Sequence, residues 1–223
     1  MAIDWSSIQS LVWDLDGTLV DSAEDIATAV NLVLADSQLE PLAVSEVRQM
    51  IGNGAAKLLD RAFEVRDALA EYNKEESYQR FLKHYKIHCC DRTDFYPGIA
   101  GLVNRCAERG IRQGVCTNKP HEMAELILSH LNIRDRFNSV IGGDSTEHRK
   151  PHPQPLTTCM QEIGANSDTT LMIGDSAADV GVARAAGVSV VLFPYGYTKA
   201  HVSSLGADEV LIDAADLEKK LLD

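Results

Sequence analysis

Carboxylates, a hydroxyl and a lysine recur in this sequence where short apolar runs end. One run leads into DLDGT at 14–18, and a later one ends in Thr-Asn at 117–118. Lys150 precedes a proline-rich turn, and a further run ends in GDSAAD at 174–179. Transfer of a phosphoryl group needs a positioned nucleophile and neutralisation of the phosphate charge, so these residue types together favour phosphate chemistry.

The DLDGT segment offers a nucleophile and a proton-transfer group. Asp14 at a strand tip suits a nucleophile that forms an aspartyl-phosphate. Asp16, two residues later, can protonate the leaving oxygen and then deprotonate the attacking water. Gly17 allows a tight exit from the strand, and we expect the Thr18 hydroxyl to orient Asp16 by a hydrogen bond.

Neutral and cationic groups supply the rest of the predicted catalytic set. Thr117 offers a hydroxyl donor to a phosphoryl oxygen, and the backbone amide of Asn118 can add a second donor. Lys150 is expected to stabilise phosphoryl charge and to keep Asp14 ionised.

The charges of this set require a cation. Four aspartates and one lysine leave a charge of −3, which a divalent metal reduces to −1 and a protonated Asp16 to zero. Without a metal the carboxylates would raise one another's pKa values. Oxygen-only ligands predict Mg²⁺.

The elements that must carry these residues form an interrupted α/β chain. From Pro97 onward, helical segments alternate with short apolar strands, which predicts a parallel sheet covered on both faces. Ligands bind outside the carboxyl ends of such strands. Residues 20–92 read as helical, with a helix over 55–63 and a long one over 68–88. We therefore predict a three-layer, doubly wound parallel-sheet core (1–19 and 93–223) with a helical cap (20–92) inserted after the first strand.

The predicted cap contains a glycine-rich loop, IGNGA at 51–55. Gly52 and Gly54 flank Asn53, so backbone amides can come close to a small anionic group, and a helix begins just after them. We expect these three residues and Asn118 to bind substrate, because the cap covers the open edge and must supply selectivity.

The composition of the chain indicates which classes of partner and which cellular compartment to expect. Of 223 residues, 21 are Lys or Arg and 33 are Asp or Glu, a net charge of −12 that argues against nucleic acid or an anionic membrane as partner. Neither a signal peptide nor a membrane span is visible. The five cysteines form no CxxC pair, so we expect reduced thiols in a cytoplasmic protein.

The ordered motifs DLDGT, TN, Lys150 and GDSAAD resemble those of the haloacid dehalogenase-like phosphatase superfamily, which run DxDGT, Ser/Thr, Lys and GDxxxD. More narrowly, IGNGA, TNKP, IGGD at 141–144, KPHPQPL and YGY at 195–197 look like the bacterial phosphoglycolate phosphatases. Two departures are Ala177-Ala178, where Arg-Asn is common, and Gln154, where an acidic residue is usual.

The resemblance implies a function and a ligand set. It implies that Asp14, the backbone carbonyl of Asp16 and Asp175 bind Mg²⁺, and that Asp179 orients a metal-bound water or Lys150. Ser176 is placed beside them in the surrounding shell. The implied reaction is hydrolysis of a small phosphomonoester, 2-phosphoglycolate before others, by a monomer or homodimer.

Other functions stay open at this point. The same motifs serve phosphatases for sugar phosphates, muramic acid 6-phosphate or pyrophosphate, and phosphosugar mutases. A receiver or metal-binding module would have no use for Asp16, and a dehalogenase would not need the acids at 175 and 179.

Overall fold

The computed structural model describes residues 3–70 and 72–222. Within these residues the strands are β1 (Ser10–Trp13), β2 (Val20–Asp21), β3 (Asp94–Phe95), β4 (Arg112–Cys116), β5 (Ser139–Ile141), β6 (Thr170–Gly174), β7 (Ser189–Leu192) and β8 (Glu209–Val210). The helices are α1 (Ala23–Asp36), α2 (Val44–Arg48), α3 (Ala55–Val65), α4 (Lys74–His88), α5 (Ile99–Glu108), α6 (His121–His130), α7 (Gln154–Glu162), α8 (Ala177–Ala186) and α9 (Ala214–Leu222).

Six strands form one parallel sheet in the order β5-β4-β1-β6-β7-β8. Its central strands β1 and β6 are buried along their whole length, as expected for strands covered on both faces. The chain passes from β1 to β4 and β5 on one side and then returns to β6 on the other. The sheet therefore changes winding direction at β1, which places a ligand crevice beyond the carboxyl ends of β1, β4 and β6.

Helices cover both faces, so the predicted three-layer core is confirmed. Leu11 and Trp13 of β1 belong to the apolar cluster of α5, α6 and α9, whereas Val12 belongs to that of α7 and α8. This division follows the alternation of side chains along a strand. The buried indole Nε1 of Trp13 donates to Oε1 of Gln113, 3.1 Å away, so its polar atom is satisfied.

Helices α1–α4 follow β1 and the short strand β2; we call residues 23–88 the helical insertion. Helix α1 packs against α2 and α4, and α3 packs against α4. The two ends of the insertion lie together because β2 pairs antiparallel with β3, a two-stranded ribbon that the sequence prediction did not include. The buried Asp25 carboxylate strengthens this junction by accepting hydrogen bonds from the backbone amides of Arg92 and Thr93.

The longest predicted helix of the insertion is shorter than expected. The prediction began it at residue 68, but α4 begins at Lys74, where the Asn73 side chain accepts a hydrogen bond from the Glu76 amide. The preceding helix α3 ends at Val65, and Asp67 follows with a φ of 53°, which breaks helical geometry. In the described ranges, each helix is too short or too polar to cross a bilayer.

Candidate active site

The predicted catalytic residues lie together at one edge of the sheet. Asp14 follows β1, Thr117 follows β4 and Asp175 follows β6, so three adjacent strands deliver them to the crevice. Lys150 lies between β5 and α7, and Asp179 lies in the first turn of α8. Strand order, and not sequence distance, brings these residues into one site.

Lys150 is the centre of the buried charges. Its ammonium donates to Oδ1 of Asp14 at 2.9 Å and to Oδ1 of Asp179 at 2.7 Å, and all three side chains are almost fully buried. Burial alone would lower the pKa of Lys150, but the two carboxylates raise it above its ordinary value. Lys150 therefore stays charged in this site.

Asp14 and Asp175 are carboxylates that the protein alone does not fully neutralise. Burial raises the pKa of Asp14 to about 6, against the opposing effect of Lys150. Burial and repulsion from Asp179 and Asp14 hold the pKa of Asp175 well above its usual range. Both groups would ionise more readily beside an additional cation.

The carboxylates fit a divalent metal ion. One oxygen each of Asp14, Asp175 and Asp179 lies within 4.8 Å of the other two, and these hard oxygen donors suit Mg²⁺ or a similar ion. Sequence reasoning counted one lysine, but the structure brings in a second. The four carboxylates and two ammonium groups now leave a charge of −2, which a divalent cation neutralises; they belong to Asp14, Asp16, Asp175, Asp179, Lys119 and Lys150.

Asp175 is held by a loop after β7. Its Oδ2 accepts a 2.6 Å hydrogen bond from the Tyr197 amide. Gly17, with a φ of 85°, lies so close that a Cβ there would be 2.6 Å from the same oxygen. A Cβ on Gly196 would also collide with this carboxylate. Two glycines thus leave the space that Asp175 occupies.

Asp179 and Ser176 form a cap at the start of α8. Oδ2 of Asp179 accepts hydrogen bonds from the Ser176 hydroxyl at 2.6 Å and from the Ser176 amide at 3.0 Å. It also accepts one from the Asp175 amide at 3.2 Å. Because Oδ1 binds Lys150, Asp179 links the lysine to the backbone of the strand end that carries Asp175.

Asp16 is oriented by residues that the sequence analysis did not single out. Its Oδ1 accepts hydrogen bonds from the Ser22 hydroxyl and, at 2.7 Å, from the Lys119 ammonium. The expected hydrogen bond from Thr18 is absent, because the Thr18 hydroxyl is buried without a partner in the described part of the chain. Ser22, at the entry to α1, takes the place that we predicted for Thr18.

Thr117 and Asn118 have different surroundings. The Thr117 hydroxyl accepts a hydrogen bond from the Lys119 amide, which leaves its proton for donation to a ligand. The Asn118 side chain donates to the carbonyls of Gly52, at 3.0 Å, and Lys150, at 3.2 Å. Asn118 therefore ties the insertion's glycine loop to the sheet edge.

The glycine loop reaches the site, but only in part as expected. Gly52 and Gly54 line the same cavity as Asp14 and Thr117. Asn53 instead lies on the exposed side, where its Oδ1 accepts a hydrogen bond from Arg61 at 2.6 Å. It lines a wider groove that also contains Asp175.

Sequence reasoning missed Lys119, Tyr85 and Ser22. Lys119 stands two residues after Thr117, so the strand-end argument already placed it near the site. Tyr85 lies in the last turn of α4, and its position in the sequence gives no indication that its hydroxyl accepts a hydrogen bond from Lys119 at 2.6 Å.

The chain is similar to known proteins over most of its length. The family model described as haloacid dehalogenase-like hydrolase matches residues 11–193. The phosphoglycolate phosphatase of Rhodospirillum rubrum is 41% identical over 214 residues, which cover 94% of this chain and 89% of that protein. That of Chromobacterium violaceum is 36% identical and covers 94% and 95%, respectively. The crystal structure of a predicted phosphoglycolate phosphatase from Haemophilus somnus 129PT superposes with a TM-score of 0.87 at 30% identity, covering 96% of this chain and 98% of that one.

Proposed function

Since the chain belongs to the haloacid dehalogenase-like hydrolase family and is a phosphatase, we propose that it hydrolyses 2-phosphoglycolate to glycolate and phosphate. The observation that carries the proposal is the contact of Lys150 with both Asp14 and Asp179 at the crevice beside β1. The names of the relatives from R. rubrum and C. violaceum support the choice of substrate.

In the first step, an Asp14 oxygen attacks phosphorus and the bond from phosphorus to the glycolate oxygen breaks. Lys150 and the Leu15 amide both donate to Oδ1 of Asp14, so Oδ2 is the oxygen that we expect to attack. Asp16 gives its proton to the departing glycolate oxygen, and the phosphoryl group remains on Asp14 as an acyl phosphate.

In the second step, water attacks the same phosphorus atom and Asp16 takes up the proton that the water loses. The bond between phosphorus and the Asp14 oxygen breaks, which releases inorganic phosphate and restores both carboxyl groups. The Thr117 hydroxyl and the Lys150 ammonium donate to the phosphoryl oxygens in both steps.

We propose that the cofactor is Mg²⁺, held by Asp14, Asp175 and the backbone carbonyl of Asp16. When bound, it supplies positive charge that offsets the negative charge of the carboxylates and the phosphate. The raised pKa values of Asp14 and Asp175 support this assignment, because these carboxylates lack a sufficient counter-charge within the protein. Asp179 and Ser176 would position Lys150 and the strand end.

We also propose that residues 20–92 act as a cap over the core formed by residues 1–19 and 93–223. The proximity of Gly52 and Gly54 to Asp14 supports this division. The five free cysteines support a reducing compartment such as the cytoplasm, where the protein would act as a monomer or homodimer on a small anionic metabolite.

A panel of phosphate monoesters, assayed with Mg²⁺ and after chelation, tests this function. We expect 2-phosphoglycolate to give the highest kcat/KM and chelation to abolish turnover until Mg²⁺ is restored. Asp14→Asn should lower kcat by at least about 10³-fold with the fold intact by circular dichroism. A sugar phosphate, muramic acid 6-phosphate or pyrophosphate at the top of the panel would contradict the substrate, and full turnover without metal would contradict the cofactor.

A further inference from the structure

Lys119 places a buried ammonium group in the cavity between the sheet edge and the helical insertion. Its side chain is 2% exposed. The ammonium contacts both Asp16 oxygens, at 2.7 and 3.0 Å, and donates to the Tyr85 hydroxyl at 2.6 Å. It also lies 4.6 Å from the centre of the Tyr85 ring. Burying an ammonium group is costly, so its position calls for a reason.

Orientation of Asp16 alone does not supply that reason. Ser22 already donates a hydrogen bond to Oδ1 of Asp16, and a hydroxyl does so without the cost of burying a charge. Lys150, the other buried lysine of the site, contacts Asp14 and Asp179. The Lys119 ammonium contacts Asp16 and Tyr85 instead, so its contacts differ from those of Lys150.

The cavity around Lys119 is small and mostly apolar on the side of the insertion. Its volume is about 40 Å³, room for about three water-sized groups. Of the described residues that line it, Lys119 is the one cation. The apolar side is formed by Ile26, Ile51, Leu58 and Phe81, and by the ring of Tyr85.

We infer that Lys119 determines specificity by binding a second negatively charged group of the substrate, a carboxylate one or two carbon atoms from the phosphate ester oxygen. The inference rests on the proposed function and deepens it. The carboxylate shares the ammonium with Asp16, while Tyr85 holds the lysine from the other side. A neutral leaving group of the same size gains nothing from this cation.

The test compares two substrates that differ in the second charge, 2-phosphoglycolate and ethyl phosphate. Lys119→Met keeps the length of the side chain and removes the charge. A hydrogen bond to a charged group contributes about 1.5–3 kcal/mol, so the ratio of the two kcat/KM values should fall by about 10- to 150-fold. Lys119→Arg, which keeps the charge, should retain most of the ratio. An equal loss for both substrates in Lys119→Met would overturn the inference, since Lys119 would then serve Asp16 alone.

Two further measurements separate a loss of specificity from a damaged site or fold. Inhibition by inorganic phosphate and circular dichroism show whether Lys119→Met keeps the phosphoryl site and the fold. If that variant does not fold, Tyr85→Phe removes the hydroxyl that holds the ammonium and should lower the same ratio by about 2- to 10-fold. An unchanged ratio in Tyr85→Phe would then count against the inference.

The proposed function and the role of Lys119 can fail separately. If another phosphate ester exceeds 2-phosphoglycolate in the wild type, the proposed substrate is wrong. The ratio of any carboxylate-bearing ester to its uncharged analogue still tests Lys119, because it compares charge and not substrate identity. A fall in that ratio in Lys119→Met supports the role of Lys119, and an unchanged ratio contradicts it.

Discussion

The Asp14 carboxyl group lies in an environment that disfavours its ionised form. Burial, opposed by Lys150, raises its pKa from 3.8 to about 6. In metal-free protein the folded state therefore holds a proton that the unfolded chain releases between these two pH values. The unfolded state binds fewer protons there, so the contribution of Asp14 to stability is greatest below about pH 4 and is lost as the pH rises through about 6.

The direction of this pH dependence can be measured. Without metal, the rise in pH should cost up to about 3 kcal/mol of stability from Asp14, and in Asp14→Asn this dependence should be weaker. Mg²⁺ binds the ionised carboxylate, so its stabilising effect should grow over the same range. Thermal unfolding with Mg²⁺ and with a chelator, between about pH 4 and pH 7, measures both effects. Equal stabilisation by Mg²⁺ at both ends of this range would contradict the argument.

At the residue scale, the sequence predicts positions better than contacts. The strand-end rule brings Asp14, Thr117 and Asp175 together because it depends only on the parallel sheet. It does not predict that Ser22 rather than Thr18 donates to Asp16, nor that Lys119 turns toward Tyr85. Those contacts depend on how the insertion packs on the edge, and no local pattern encodes that packing.

At the scale of elements, the turn after β1 requires glycine for two independent reasons. Gly17 has a φ of 85°, and a Cβ there would meet the Asp175 carboxylate. Gly187 at the end of α8 has a similar φ of 70°, but a Cβ there meets nothing within 4 Å. A side chain at either position therefore costs conformational energy, because φ is positive at both. The added Cβ collides with another residue at Gly17 and not at Gly187.

Alanine at these two positions separates the effects. Gly187→Ala should cost about 1–2 kcal/mol of stability through its φ alone and leave Mg²⁺ affinity and kcat unchanged. Gly17→Ala should cost at least as much and also displace Asp175, lowering Mg²⁺ affinity by about 10- to 100-fold. Titration of Mg²⁺ by activity and by thermal shift measures the difference. Equal Mg²⁺ affinity in the two variants would show that Asp175 does not need the space beside Gly17.

The sequence predicts helices and strands correctly where a hydrophobic pattern extends over many residues. The alternating helices and strands after residue 97 were predicted, since each apolar run is bounded by a turn. The ribbon of β2 and β3 was not, because two-residue strands carry no periodicity and their pairing joins positions more than 70 residues apart. The start of α4 was misplaced for a related reason, since helical propensity continues through 68–73 and the Asn73 cap decides the boundary.

At the scale of the whole molecule, the insertion and the sheet share one apolar cluster and one set of polar contacts. Trp13 of β1 and Leu34 of α1 belong to the same buried cluster. Tyr197 donates its amide hydrogen to Asp175 and its hydroxyl hydrogen to Asp21, next to the insertion. The Asp175 carboxylate and the entry to the insertion are therefore both held by Tyr197.

This continuity predicts that the protein unfolds as one cooperative unit. The two tryptophans, Trp5 and Trp13, precede the insertion, so their fluorescence reports on the core, whereas far-ultraviolet circular dichroism also reports on α1–α4. The two signals should give the same urea midpoint. Leu34→Ala, fully buried in α1, should cost about 2–5 kcal/mol and move both transitions together. The matched control Val65→Ala, 48% exposed at the end of α3, should move neither by more than about 0.5 kcal/mol. If Leu34→Ala shifts the dichroism transition and leaves tryptophan fluorescence in place, the insertion unfolds independently and the shared cluster does not couple it to the sheet.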